Sequence, residues 1–209
     1  MLARKQKPEK PPGLRTFKKW VAEDGFPDGT IIHLHYPFSP ELADAISSVP
    51  AHIVTILRDP YDVFVSYYFA VQRRNGRGFR RDVLIDNPLD HPDVLTYLRE
   101  GGERQHMKLP LGWIQSGRTA VVRYEDLHQD PIGALSRLEQ HLGPVPEETR
   151  ERTVEVCSAE NMQTMAVVRP GHIRVAKVGD SREKLGEEHL AIFRERYAEL
   201  IRSLGYEVR

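Results

Sequence analysis

The sequence predicts an α/β protein: a parallel sheet flanked by helices, three layers in all. Strands and helices alternate along the chain. Two short apolar runs, HIVTIL at 52–57 and RTAVVRY at 118–124, have the β-branched character of buried parallel strands. Asp59–Pro60 follows the first run at once, and Asp130–Pro131 repeats the same helix-start signal after the second. Leu190, Phe193, Tyr197, Leu200, Ile201 and Leu204 form a helical stripe that Gly205 ends. Strands that alternate with helices in this way place helices on the faces of a parallel sheet.

The remaining elements follow in chain order. Residues 1–15 are basic with no apolar segment behind them, so they form a disordered tail, and the domain covers 16–209. Phe17 and Trp20 share a face of a short helix over Thr16–Glu23, which Gly25, Pro27 and Gly29 stop. Thr30–Tyr36 is expected as a strand closed by Pro37, and Pro40–Ser48 as a short helix. The helix after Pro60 runs to about Asn75. Residues 76–110, rich in Arg, Asp, Pro and Gly, are expected as a mobile excursion with a short helix over Val94–Arg99. Ile132, Leu135, Leu138 and Leu142 share one face of the helix that Gly143 stops, and another helix follows Pro146.

Composition narrows the functional classes. The 209 residues suit one domain with a sizeable core. Thirty Lys and Arg balance thirty Asp and Glu, which argues against bulk nucleic-acid binding, so any anion site must be a local cluster of cations. A single cysteine, Cys157, cannot form an intrachain disulfide and suits a reduced, cytoplasmic setting. No apolar run is long enough for a membrane span.

Arg58 stands where the strand at 52–57 ends, the place where open α/β sheets bind ligands. Its guanidinium offers a fork of donors that fits phosphate, and the helix behind it adds free backbone N–H groups. Positions 59, 62, 63 and 66 share a helical face, so Ser66 can look toward the helix start. An alternative is that Arg58 pairs with Asp59 or Asp62 and that Ser66 merely caps or packs. His35 has two readings from the residues alone. It can be a strand histidine with a satisfied hydrogen bond, or pair with His33 as an H-x-H metal motif lacking a clear third ligand.

The segment IVTILRDPYDVFVSYYFA resembles the 3′-phosphate-binding segment of sulfotransferases that use 3′-phosphoadenosine 5′-phosphosulfate. There a strand ends in Arg, and a Ser eight residues on completes the site; Arg58 and Ser66 have that spacing. VVRYEDL at 121–127 resembles the strand whose Tyr lies near the adenine, here Tyr124. IRVAKVGDSREKLGEEH at 173–189 resembles the R-K-G-x-x-G-D-W-K loop and the helix after it. Arg174, Gly179 and Asp180 match that loop, while Val175, Ala176 and Ser181 depart from it. IIHLHYPF at 31–38 resembles the K-T-H-l-P strand end, which puts His35 at the catalytic histidine and Pro37 at the proline, with His33 where the family has Lys.

The resemblance implies a sulfotransferase of the nucleotide-kinase-like fold, moving a sulfuryl group to a hydroxyl or amine of a small molecule or glycan. His35 would be the general base. Arg58, Ser66 and Arg174 would hold the 3′-phosphate, and Tyr124 would line the adenine pocket; no metal is implied. The family's P-K-S-G-T-T-W loop, which wraps the 5′-phosphosulfate, finds no match in the sequence, nor does G-x-x-x-x-G-K-[ST]. The expectation is therefore an amino-terminally incomplete domain, or a degenerate relative that binds adenosine 3′,5′-bisphosphate or a protein partner without catalysis. Such a chain is expected to be marginally stable, prone to self-association and inactive alone.

Overall fold

The computed structural model describes residues 19, 22, 29, 31–33, 35–73, 82–164 and 175–209. The expected tail lies outside them, as does most of the 16–23 helix, of which Lys19 and Ala22 are described and helical.

At the centre stand two parallel strands, β1 (Val54–Leu57) and β2 (Ala120–Arg123), with Ile56 beside Val122 and Leu57 beside Arg123. Helix α1 (Pro40–Ser47) precedes β1, its first turn capped by the Ser39 hydroxyl, which accepts from the Leu42 N–H at 3.2 Å. Helix α2 (Pro60–Arg73) leaves β1 after two residues. Asp59 caps it by accepting from the Tyr61 N–H at 2.8 Å, as the Asp-Pro signal predicts. A 3-10 turn (Asp82–Leu84) leads to α3 (Pro92–Arg99) and α4 (Arg104–Ser116). Beyond β2 come α5 (Tyr124–Gln129), α6 (Pro131–Leu142), α7 (Glu147–Val156), α8 (Ala159–Thr164), α9 (Ser181–Lys184) and α10 (Glu187–Ser203).

The main core joins α2, α3, α4 and α10 through Phe64, Val65, Val71, Val94, Leu98, Met107, Phe193 and Ile201, all buried. The carboxy-terminal stripe supplies its share as expected: Phe193, Tyr197, Ile201 and Leu204 are buried, and Gly205 ends the helix at φ +76°. Its left-handed backbone suits glycine, and a Cβ there would lie 2.7 Å from Arg123 Nη2. A second cluster gathers Leu42, Ala43 and Trp113 with Ile32, Tyr36 and Phe38.

Three expectations need correction, and one helical stripe is shallower than its pattern. The segment 31–33 and 35–36 makes no strand; Trp113 holds it instead, donating from Nε1 to the Tyr36 carbonyl at 2.9 Å and meeting Phe38 edge-on. The excursion is largely structure: α3 and the front half of α4 fall inside 76–110. The stripe on α6 is not core, since Ile132 and Leu142 are exposed and Ala134 is that helix's buried residue. Finally, β1 is not fully covered. Val54 and Ile56, on one face, are 38% and 65% exposed, and Val121, on the other, is 45% exposed.

Candidate functional site

The site is built where the carboxyl ends of β1 and β2 meet the loop at 175–181. Leu57 and Arg123 are register partners, so the next residues, Arg58 and Tyr124, emerge side by side. The Arg58 guanidinium lies over the Tyr124 ring, 4.2 Å from its centroid. One Nη of Arg58 donates to the Lys177 carbonyl at 3.1 Å. The same nitrogen is 3.7 Å from Asp62 Oδ2, so the pairing foreseen as the alternative is also present. Arg58 Nε is buried and has no partner among the described residues.

Asp62 organises the opposite wall. It is buried to 1% exposure in the first turn of α2, and its two oxygens accept from the backbone N–H groups of Gly179 at 2.7 Å and Ser181 at 2.9 Å. A buried carboxylate needs such partners, and here it obtains them by fixing a loop. The loop has an unusual backbone, with Ala176 at φ +48° and Gly179 at φ +77°. Glu125 adds a second brace: Oε1 accepts from the Asp59 N–H at 2.8 Å and Oε2 from the Tyr206 hydroxyl at 2.9 Å. Burial and Glu125 push the Tyr206 phenol up, so it remains a hydrogen-bond donor. Burial raises the Asp59 carboxyl above its ordinary value, against the lowering pull of its bond from Tyr61 and of Arg209. His128 tilts against Tyr124 at 4.5 Å between ring centres. Burial and then the Arg58 charge hold its imidazole below the ordinary value, opposed by Glu125.

Of the residues expected from sequence, Arg58 and Tyr124 come together with the 175–181 loop. Ser66 is half-buried two turns along α2, about 9 Å from the helix start at 1.5 Å per residue. Arg174 lies outside the described residues. His35 is exposed on the segment ahead of α1, its ring 4.6 Å from that of His33 in an edge-to-face contact. Its neighbours Tyr36 and Phe38 belong to the Trp113 cluster. Among the described residues no group of three or more His, Cys, Asp or Glu is gathered as metal ligands.

Sequence reasoning did not find Glu125, Tyr206, Arg209 or the structural weight of Asp62. It also passed over a second imidazole–carboxylate pair. Glu103, 1% exposed, accepts from the Tyr97 hydroxyl at 2.8 Å and lies 2.7 Å from His106 Nδ1, and the His106 ring meets Tyr67 edge-on at 4.5 Å.

A strand-end arginine, an aromatic ring beneath it and a loop of tightly held backbone stand together at the carboxyl ends of the strands, the place where open α/β sheets bind ligands. The chain belongs to the sulfotransferase family: the pattern of the sulfotransferase domain matches residues 21–205. It is 28% identical over 144 residues to cytosolic sulfotransferase 14 of Arabidopsis thaliana, a match that covers 64% of this chain and 40% of the plant protein. Its fold is similar to the crystal structure of mouse sulfotransferase SULT7A1 complexed with PAP. The TM-score is 0.64 at 18% identity, over 86% of this chain and 70% of the mouse chain. The mixed helices and strands around a parallel pair are those of the α/β sulfotransferase fold.

Proposed function

We propose that this domain serves a sulfotransferase that uses 3′-phosphoadenosine 5′-phosphosulfate and a hydroxyl or amine acceptor, a small molecule or a glycan. The observation that carries the reading is Arg58: a strand-end guanidinium with an orphaned buried Nε, set over Tyr124 and facing the 175–181 loop. An unmatched buried donor is costly, and a phosphate oxygen would satisfy it. Arg58, Ser66 and Arg174 would hold the 3′-phosphate, and the Tyr124 ring would offer the adenine a stacking face. His35 would take the acceptor's proton. In the reaction the acceptor oxygen or nitrogen bonds to sulfur, the sulfur–oxygen bond to the 5′-phosphate breaks, and adenosine 3′,5′-bisphosphate leaves. Positive groups near the departing oxygen lower that barrier.

The exposed position of His35 favours a second reading: a relative that binds the nucleotide or a protein partner without catalysis. No helix among the described residues is long and apolar enough to cross a membrane. The cytosolic plant relative supports a cytoplasmic placement.

Calorimetry tests the nucleotide half. Adenosine 3′,5′-bisphosphate should bind more tightly than adenosine 5′-phosphate, and equal affinities would sink the assignment of Arg58 and Ser66. Transfer from a labelled donor tests the chemistry. His35→Ala should abolish transfer and leave nucleotide binding nearly intact; transfer at the wild-type rate would make His35 structural.

A further inference from the structure

We infer that Arg209 is a positioning residue for the 3′-phosphate, acting by clamping the 175–181 loop against the start of α2. The inference rests on the reading that this loop and Arg58 hold that phosphate.

Arg209 makes four contacts that converge on one spot. Its Nη2 donates to the Ser181 hydroxyl at 2.7 Å and lies 3.8 Å from Asp59 Oδ2. Its guanidinium sits 3.9 Å from the centroid of the Tyr61 ring, and its backbone N–H donates to the Tyr61 hydroxyl at 2.9 Å. Its carbonyl accepts from Arg194 at 3.3 Å, and Val208 packs on the core, so the segment carrying it is anchored. The side chain is 17% exposed, and its Nε is a buried donor with no partner among the described residues.

Ser181 is the link to the site. It is fully buried and gripped from two sides: Asp62 accepts its backbone N–H, and Arg209 donates to its hydroxyl. Asp62 also takes the Gly179 N–H and lies 3.7 Å from the Arg58 guanidinium. A mechanical chain therefore runs from Arg209 through Ser181 and Asp62 to Arg58. The loop it holds has two residues at positive φ, a backbone that relaxes unless it is over-determined. A backbone held in place beforehand binds an anion without an ordering cost at the moment of binding. The task suits arginine. A planar guanidinium stacks on Tyr61 while its edge reaches the Ser181 hydroxyl and the Asp59 carboxylate together, and an ammonium group lacks that shape.

The test measures selectivity, because a merely structural anchor would affect every ligand alike. Wild type, Arg209→Ala, Arg209→Lys, Ser181→Ala and the Arg209→Ala/Ser181→Ala double variant are titrated calorimetrically with adenosine 3′,5′-bisphosphate and with adenosine 5′-phosphate. The wild-type preference for the bisphosphate should fall roughly five- to tenfold in Arg209→Ala, with affinity for the monophosphate little changed. Arg209→Lys should lose most of the same preference. Ser181→Ala should match Arg209→Ala, and the double variant should lose no more than either single one, as expected of one pathway. Equal weakening of both ligands, or an unchanged ratio, overturns the inference. If Arg209→Ala does not fold, Ser181→Ala alone decides, since it leaves the Tyr61 stack in place. A wild type that does not discriminate the two nucleotides fails earlier, and it removes the nucleotide reading along with this one.

Discussion

Arg58 carries three contacts at once: the Tyr124 face, the Lys177 carbonyl and the Asp62 carboxylate. A lysine could replace the charge but neither the stacking nor the fork. Arg58→Lys should therefore weaken adenosine 3′,5′-bisphosphate binding by about 1.5–3 kcal/mol, the worth of a charged hydrogen bond, as read by calorimetry. The pH response of the same corner is set by His128, whose folded pKa is held below 6.5 by burial and by Arg58. Above 6.5 the ring is neutral in both the folded and unfolded chain, and its contribution to stability is complete. Below that value the unfolded chain takes up the proton first, so stability is lost as the pH falls. Melting curves at several pH values should show a decline on acidification that is shallower in His128→Gln. A decline of equal slope would assign it to other groups. At this scale the sequence made half the site legible. Arg58 lies directly beyond a strand end, where local pattern suffices, and Tyr124 is legible through the family resemblance of its VVRYEDL segment. Asp62 also stood in a recognisable run, but its partners, Gly179 and Ser181, lie 117 and 119 positions away, beyond any local signal.

Helix α4 shows why one element was hidden. Its sequence, RQHMKLPLGWIQS, contains Pro110 and a glycine, and both count against a helix. Tertiary packing overrides them: Met107, Leu111 and Trp113 are buried. The turn ahead of α4 is equally constrained. A Cβ on Gly102 would lie 2.2 Å from Tyr97 Cζ, and the Tyr97 hydroxyl donates to the Gly102 carbonyl and to Glu103. Gly102→Ala should cost about 1–3 kcal/mol by overpacking, measured by denaturant unfolding. Glu103→Ala should cost a similar amount, about 1–3 kcal/mol, since it takes away one acceptor of the buried Tyr97 hydroxyl and removes the partner of His106. The phenol of Tyr197, pushed up to about 12 mainly by burial, stays protonated beside them and donates to the Leu98 carbonyl at 2.6 Å. Periodicity did locate α1, α2, α3, α6, α7 and α10, because each begins at a proline or cap signal or keeps a long apolar stripe. It misjudged the described residues 31–33 and 35–36 because β-branched composition marks a chain that can pair, and pairing depends on a neighbour that composition does not name.

For the molecule as a whole, the weak point is the sheet. Parallel strands are ordinarily covered on both faces, yet Val54, Ile56 and Val121 remain exposed. Exposed β-branched residues beside a two-stranded pair favour contact between copies of the chain. Ile56→Thr with Val121→Thr should shift sedimentation toward monomer while keeping strand propensity. A wild-type chain that is already monomeric at high concentration would show these residues to be harmless. The wiring of the site also has a consequence in time. Arg58 and Tyr124 can meet once β2 has been synthesised. The hydrogen bonds from Gly179 and Ser181 to Asp62 span 117 and 119 positions, and that from Arg209 to Tyr61 spans 148. Closures that long are slow and form after local helices. During elongation on the ribosome, the Asp62 carboxylate therefore stays hydrated until the 175–181 loop emerges to cover it. In that interval the start of α2 is open to a chaperone or a protease.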